Sequence, residues 1–241
     1  MDQINVILLT IVCVGAGFVQ RVSGFGLGIF AMIFLPYLLP SPVLAASILG
    51  ICSMTTSSLN AVKFRSNINL GTVLPMMIAA LISTTAAVFF SRWVSKGIFE
   101  ILLGVVLIAL SIYFLFFGKY IKIRKCTVGG VVSGTLSGVL NGLFSTGGPP
   151  AVVYLTEVSA SNAEYFAGIQ FFFAVSNIYA TVVRAFSGLL TVNVLVMSIF
   201  GLIGCVVGDF LGRFVFDKLD DVKLRRIIYI GMIVSGVIMI I

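Results

Sequence analysis

Residues 20–28 read QRVSGFGLG and residues 141–150 read NGLFSTGGPP, and the fold turns on these two stretches. Each sets glycines, hydroxyls and an amide inside surroundings too apolar for water. Glycine loosens the backbone and proline cannot continue a helix, so each stretch is expected to interrupt a helix. Laying the chain on itself at a constant offset of 121 residues carries the first onto the second, with Gln20 on Asn141 and Gly26 on Gly147. The register holds without a gap from Gly17/Gly138 to Val94/Val215, passing through Ala46/Ala167, Ile48/Ile169, Lys63/Arg184, Phe89/Phe210 and Arg92/Arg213. Aliphatic low complexity matches some such pairs by chance, but not glycines and basic residues in the same frame. The chain therefore reads as a duplication, with residues 1–120 as first repeat and 121–241 as second, inside one integral membrane domain.

Composition fixes the solvent. The 241 residues are 60% hydrophobic and 10% charged, far below the roughly 25% charge of a soluble domain, and the class is an all-α polytopic membrane protein. A spanning helix needs about 20 apolar residues. Segments 43–62, 70–90 and 98–117 meet that length in the first repeat, and 163–183, 191–211 and 222–241 meet it in the second. Four others, 4–19, 27–39, 127–140 and 149–159, fall short and flank the two interruptions in pairs. Each repeat is thus expected to hold a re-entrant or broken helical hairpin plus three transmembrane helices. Non-helical backbone at such depth is tolerable only where protein or a water-filled cavity covers it. With no basic n-region ahead of residue 4, insertion is expected through the spans themselves rather than through a cleaved signal peptide.

The net charge of +7 sits in the gaps between apolar segments, which makes it a topology signal rather than a nucleic-acid-binding face. With three full spans per repeat the halves are inverted. The cytoplasmic side then collects Lys63, Arg65, Lys119, Lys122, Arg124, Lys125, Arg213, Lys218, Lys223, Arg225 and Arg226, against Arg92, Lys96 and Arg184 outside. With four spans per repeat the same residues divide evenly, so inverted halves obey the positive-inside rule better. Cys13, Cys52, Cys126 and Cys205 have no CxxC spacing and the chain has no histidine, so neither a metal nor another cofactor is expected, and the cysteines read as small buried hydrophobes.

The two interruptions are also where chemistry is expected. A half-helix that starts at Leu27 or Pro149 turns free N–H groups and its positive dipole end into the protein, and that is an anion site. Paired interruptions in two repeats mark a transporter's binding site near the midplane. The candidate substrate residues are Gln20, Arg21, Ser23, Gly24, Phe25 and Gly26 in the first stretch. Their counterparts in the second are Asn141, Ser145, Thr146, Gly147, Gly148 and Pro149. Two readings of Arg21 stay open: it faces the anion, or it snorkels to the headgroups. Polar residues of the next span in each repeat, among them Ser53, Ser57, Gln170 and Asn177, line a path beside the interruptions or bond helix to helix. Gly130, Gly134 and Gly138 are packing glycines, and Lys63 and Arg184 are interfacial anchors. Glu157 and Asp209 are the candidates to carry a coupling proton or ion. An enzyme is not expected, because the serine of LSG at residues 136–138 has neither a histidine base nor a paired aspartate.

The segments GFVQRVSGFGLGIFAMIFLP and SGVLNGLFSTGGPPAVVYL resemble the two signature segments of the TauE/SafE sulfite exporter family. The resemblance covers essentially the whole chain. It implies a secondary transporter of small sulfur-containing anions such as sulfite, sulfoacetate, other organosulfonates or thiosulfate, with the two hairpins as its core. It also implies a homodimer in the inner (plasma) membrane with substrate at the two breaks. The alternatives are an anion channel or a carrier of a small carboxylate. Inverted halves predict that reporter fusions after Lys125 and at Ile241 lie on opposite faces of the membrane; a topology assay that finds both on one face excludes them.

Overall fold

The apolar runs form helices in sequence order. The protein is described by a computed structural model over residues 3–23, 25–117, 127–215 and 221–241, and no strand occurs among these residues. Helices α1 (Gln3–Ser23), α2 (Leu27–Leu38), α3 (Pro42–Lys63), α4 (Leu70–Ser91) and α5 (Lys96–Ile112) make up the first half. The second half holds α6 (Thr127–Phe144), α7 (Gly148–Val158), α8 (Asn162–Phe186), α9 (Val192–Val215) and α10 (Asp221–Ile240). A π-helical turn, Tyr113–Phe117, continues α5. Hydroxyl caps start the longer helices: Ser41 Oγ accepts from Val43 N at 3.2 Å and Ser161 Oγ from Glu164 N at 3.1 Å. Glu164 in turn accepts from Asn69 Nδ2 and from Ala160 N, both at 2.9 Å, which ties the α3–α4 connection to the start of α8.

Among the described residues seven helices, α1, α3, α4, α5, α6, α8 and α9, are long and apolar enough to cross a membrane. Their outward faces are apolar at helical spacing, as with Ile78, Ile82 and Phe89 on α4 and Ile199, Ile203 and Phe210 on α9. Only lipid makes such a surface stable. Trp93 and Phe186, each 87% exposed beyond or at a helix end, sit where aromatic side chains meet headgroups.

The expectation that 4–19 and 127–140 fall short of a span is corrected. Both helices run on through the polar residues, α1 through Gln20 and Arg21 and α6 through Asn141 and Gly142, because a polar side chain does not interrupt main-chain bonding. Left-handed backbone follows each: Ser145 (φ 55) comes directly after α6, and Gly26 (φ 104) is the residue from which α2 starts, beyond the end of α1 at Ser23. The short legs are α2 and α7, with 12 and 11 residues. Each folds back on its partner. A Cβ at Gly15 of α1 would stand 2.6 Å from the Phe30 ring of α2, and one at Gly130 of α6 would stand 3.0 Å from the Tyr154 hydroxyl of α7. Each interruption is therefore the tip of a hairpin.

Glycine sets how the hairpins are held. Gly204, Gly208 and Gly212 of α9 lie against Cys13, Val14 and Arg21 of α1, and Gly134, Gly138 and Gly142 of α6 lie against Met76, Ala80 and Thr84 of α4. Residue numbers rise together in both pairs, so α1 runs parallel to α9 and α6 to α4. By contrast α3 and α8 run antiparallel, with Phe64 on Phe166 (ring centroids 5.0 Å) and Gly50 beside Arg184. The same is true of α5 and α10, where Gly104 meets Gly236 and Phe114 stacks on Tyr229 at 5.2 Å. Cys13, Cys52 and Cys205 are buried free thiols in the core between α1, α3 and α9; Cys126 lies outside the described residues. So do Lys119, Lys122, Arg124, Lys125 and Lys218 of the charge count, and the side chains of Arg213, Lys223, Arg225 and Arg226.

The glycine contacts leave no room for a side chain, since a Cβ at Gly134 would overlap the Met76 carbonyl oxygen while one at Gly97 meets nothing within 4 Å. Gly134→Val is expected to destabilise the protein by about 1–3 kcal/mol and Gly97→Ala by no more than about 0.5 kcal/mol in either direction, measured by unfolding in detergent micelles.

Candidate functional site

The two hairpin tips meet. A Cβ at Gly28 would overlap the Ser145 carbonyl oxygen, and one at Gly148 would lie 3.5 Å from the Phe25 ring. Only glycine permits the first of these approaches. Ser145 holds its left-handed backbone through a buried bond, its Oγ donating to the Ala46 carbonyl of α3 at 2.7 Å. Such a conformation costs a non-glycine residue energy and persists only where its surroundings fix it.

Between the tips lies a cavity of about 30 Å³, which is room for a water or a small polyatomic group. From the first stretch Gln20, Phe25, Gly26, Leu27, Gly28 and Ile29 line it, and from the second Asn141, Ser145, Thr146, Gly147 and Gly148. Ser53 and Ser57 of α3 and Phe173 and Asn177 of α8 complete the wall. Thus eight of the twelve candidate substrate residues converge on one cavity from positions more than a hundred residues apart. Thr55 and Thr56, next to Ser53, bond instead to carbonyls of their own helix at 3.0 and 3.1 Å.

Both short helices begin at this cavity, and neither N-terminus is capped by a side chain. The N–H groups of Leu27, Gly28 and Ile29 have no acceptor within α2. In α7 two of the early donors are missing, because Pro149 and Pro150 have no N–H; Gly148 and the helix dipole remain. The richer donor end is therefore that of α2. Several buried polar atoms of the lining also lack a partner: Gln20 Oε1, Ser57 Oγ, Thr146 Oγ1 and Asn177 Oδ1. Buried polar groups are normally bonded, so a cluster of orphans around a cavity indicates groups completed by water or a ligand.

Some expected residues lie elsewhere. Arg21 does not line the cavity; its guanidinium stands 4.0 Å from the Asp209 carboxylate of α9, with the two side chains 34% and 27% exposed. Glu157 is exposed near the end of α7, and Pro149 is buried in that helix's first turn, away from the cavity wall. Gly24 and the Ser23 side chain lie outside the described residues. Lys63 is exposed, its ammonium 5.5 Å from the Phe64 ring centroid, as an interfacial anchor should be. Its counterpart is not: Arg184 is only 1% exposed. Nothing in the sequence separates the two, since both close a long apolar helix, and their difference comes from what packs around them.

A family model described as "Sulfite exporter TauE/SafE" matches residues 9–239, a span that contains both hairpins and every helix that lines the cavity. The chain belongs to the TauE/SafE sulfite exporter family. Comparison with curated proteins and with solved structures returned no match. A TauE/SafE protein is a membrane transporter of the sulfite exporter type, and in this one the cavity between the hairpin tips is the candidate place for the transported anion.

The orphan hydroxyl of Thr146 sharpens the point. Replacing an unpartnered buried hydroxyl with a methyl of the same shape removes a desolvation cost of about 1–3 kcal/mol. Thr146→Val is expected to raise the melting temperature of the anion-free TauE/SafE protein, read by differential scanning fluorimetry; a fall would mean that the hydroxyl is satisfied without a ligand.

Proposed function

We propose that the protein is a secondary transporter that moves a small sulfur-containing anion, such as sulfite, sulfoacetate, another organosulfonate or thiosulfate, across the plasma membrane by alternating access. The observation that carries this reading is the cavity itself. Two uncapped helix N-termini and a set of unpartnered hydroxyls and amides enclose a space for a small ligand, and N–H donors with helix dipoles favour negative charge. The family supports sulfur chemistry. Thiosulfate and sulfonates carry oxygens that accept several hydrogen bonds at once, which suits the N–H groups at the start of α2 and the hydroxyls of Ser57 and Thr146; the amide oxygens Gln20 Oε1 and Asn177 Oδ1 only accept and are left to water.

The reading includes inverted halves. It draws support from the antiparallel pairing of α3 with α8, register mates at the 121-residue offset, and of α5 with α10, the fifth helix of each half. Inverted halves that present equivalent hairpins from opposite faces are suited to exposing one site to each side in turn. A homodimer and coupling to a proton or ion remain part of the proposal. No carboxylate lines the cavity, so a proton carried by the protein would have to sit outside it, as Asp209 does.

The test is a panel on purified, reconstituted protein with sulfite, sulfoacetate, isethionate, taurine, thiosulfate and sulfate, and with acetate as a carboxylate control. Saturable uptake and countertransport of one or more sulfur anions are expected. Non-saturating flux without exchange would make it a channel, and a response to acetate alone would overturn the sulfur assignment in favour of a carboxylate carrier.

A further inference from the structure

One guanidinium is enclosed by protein on all sides at the end of α6. Arg184 Nη2 donates to the carbonyls of Asn141 and Gly142 at 2.9 and 3.0 Å. These bonds cap the last turn of α6, where the dipole is negative and the Asn141 carbonyl also accepts from Ser145 N at 3.0 Å. They occupy only one nitrogen. Nη1 is buried without a partner, and neither ion pair among the described residues includes Arg184. A buried cation left without a counter-charge is strongly unfavourable, and a ligand that supplied one would remove the deficit.

The position of Nη1 shows what kind of ligand. A Cβ at Gly50 of α3 would stand 2.5 Å from Nη1, 3.5 Å from Ser145 Oγ and 3.7 Å from Thr181 Oγ1. Thr181 Oγ1 is also buried and unpartnered. Gly50 shares a face of α3 with Ser53 and Ser57, and Arg184 shares a face of α8 with Thr181 and Asn177, by spacings of three and four residues. Ser53, Ser57 and Asn177 are cavity residues. A polar seam between α3 and α8 thus runs from the cavity to the open nitrogen of Arg184.

We infer that Arg184 supplies the charge that holds the transported anion. The anion takes the free Nη1–H at the end of this seam, Thr181 Oγ1 is a second donor, and Gly50 keeps the space clear of a side chain. The inference rests on the transport reading above and names its charged residue. Neither arginine is part of the cavity wall; Arg21 is the poorer candidate because its charge already faces Asp209, whereas Arg184 Nη1 has no partner and adjoins the cavity residue Ser145 across Gly50.

Sulfite affinity of the full chain, read by thermal shift and by uptake into proteoliposomes, tests this with Arg184→Gln, Arg184→Lys and Arg21→Gln. Arg184→Gln keeps a donor for α6 and removes the charge; Arg184→Lys keeps the charge and loses the fork over the two carbonyls. Losing a charge-assisted bond is expected to weaken sulfite binding about tenfold or more in Arg184→Gln, with a smaller loss in both Arg184→Lys and Arg21→Gln. Equal losses in the two Arg184 variants would make the residue a clamp on α6 only and overturn the inference. So would wild-type affinity in Arg184→Gln, or a larger loss in Arg21→Gln. Should Arg184→Gln fail to fold, Gly50→Ala decides: it displaces Nη1 without removing the charge, and unchanged sulfite affinity overturns the proposal while a weakened one supports it. A wild type that responds to none of the panel overturns the transport reading and this inference together, whereas a responsive wild type with an unaffected Arg184→Gln overturns this inference alone.

Discussion

Within a bilayer an unpaired backbone N–H or C=O costs several kcal/mol, and this chain opens its helices at two places well inside its apolar length. Everything around the tips serves to cover that opening. The Ser145 carbonyl is approached so closely by Gly28 that no side chain fits between them. At the end of α6 the Gly142 carbonyl is taken by Arg184, which also reaches the Asn141 carbonyl that Ser145 N already bonds. Ser145 spends its hydroxyl on Ala46. What stays open around the cavity is the N-terminal sides of α2 and α7 and the polar atoms Gln20 Oε1, Ser57 Oγ, Thr146 Oγ1 and Asn177 Oδ1. The cavity between the tips is the candidate binding site.

The hairpins reach that point on supports borrowed from the opposite half. Glycine contacts seat α1 on α9 and α6 on α4 with backbone against backbone, the geometry by which membrane helices gain van der Waals contact where no hydrophobic force separates them from lipid. Each tip is therefore carried by a two-helix arm made from both halves. Phe114, in the π-helical turn after α5, reaches the first tip through Phe25 at 5.9 Å, and Phe99 of α5 reaches the end of α6 through Phe144 at 4.9 Å. Motion of one arm against the other would reshape the cavity through these rings and through the Gly28–Ser145 contact, without breaking the helix pairs themselves.

Much of this was legible in the sequence because it follows from local rules. The long helices fall within a few residues of the apolar runs. The hairpin tips fall on the glycine-rich stretches, and the packing glycines of α6 do pack. Eight candidate residues share one cavity because the 121-residue register pointed to two places that had to meet. Polarity misled where it was taken to end a helix: Gln20, Arg21, Asn141 and Gly142 are helical, since a polar side chain, whether it faces the cavity as Gln20 and Asn141 do or Asp209 as Arg21 does, leaves the main-chain bonds intact. The charges misled for a different reason. Lys63 and Arg184 are matched in register and in helix position, and only tertiary packing decides that one meets headgroups and the other the end of α6. Sequence holds no term for that.

The same register exposes how charge departs from architecture. Arg21 on α1 faces Asp209 on α9, and the matching positions on α6 and α4 are Gly142 and Val88. The equivalent helix contact thus forms with no charge at all, Val88 being fully buried, so packing of the arms does not require the ion pair. The seam beside the cavity is equally one-sided. Gly50, Ser53 and Ser57 correspond to Phe171, Ala174 and Ile178, bulkier or apolar residues that could not line a polar path. The proposed site is therefore unlike in the two halves, with its enclosed cation at the end of one seam only. That asymmetry has a physical use. Two buried cations a short distance apart would each raise the cost of the other, whereas one can be neutralised by a single monoanion and left open again when that anion departs.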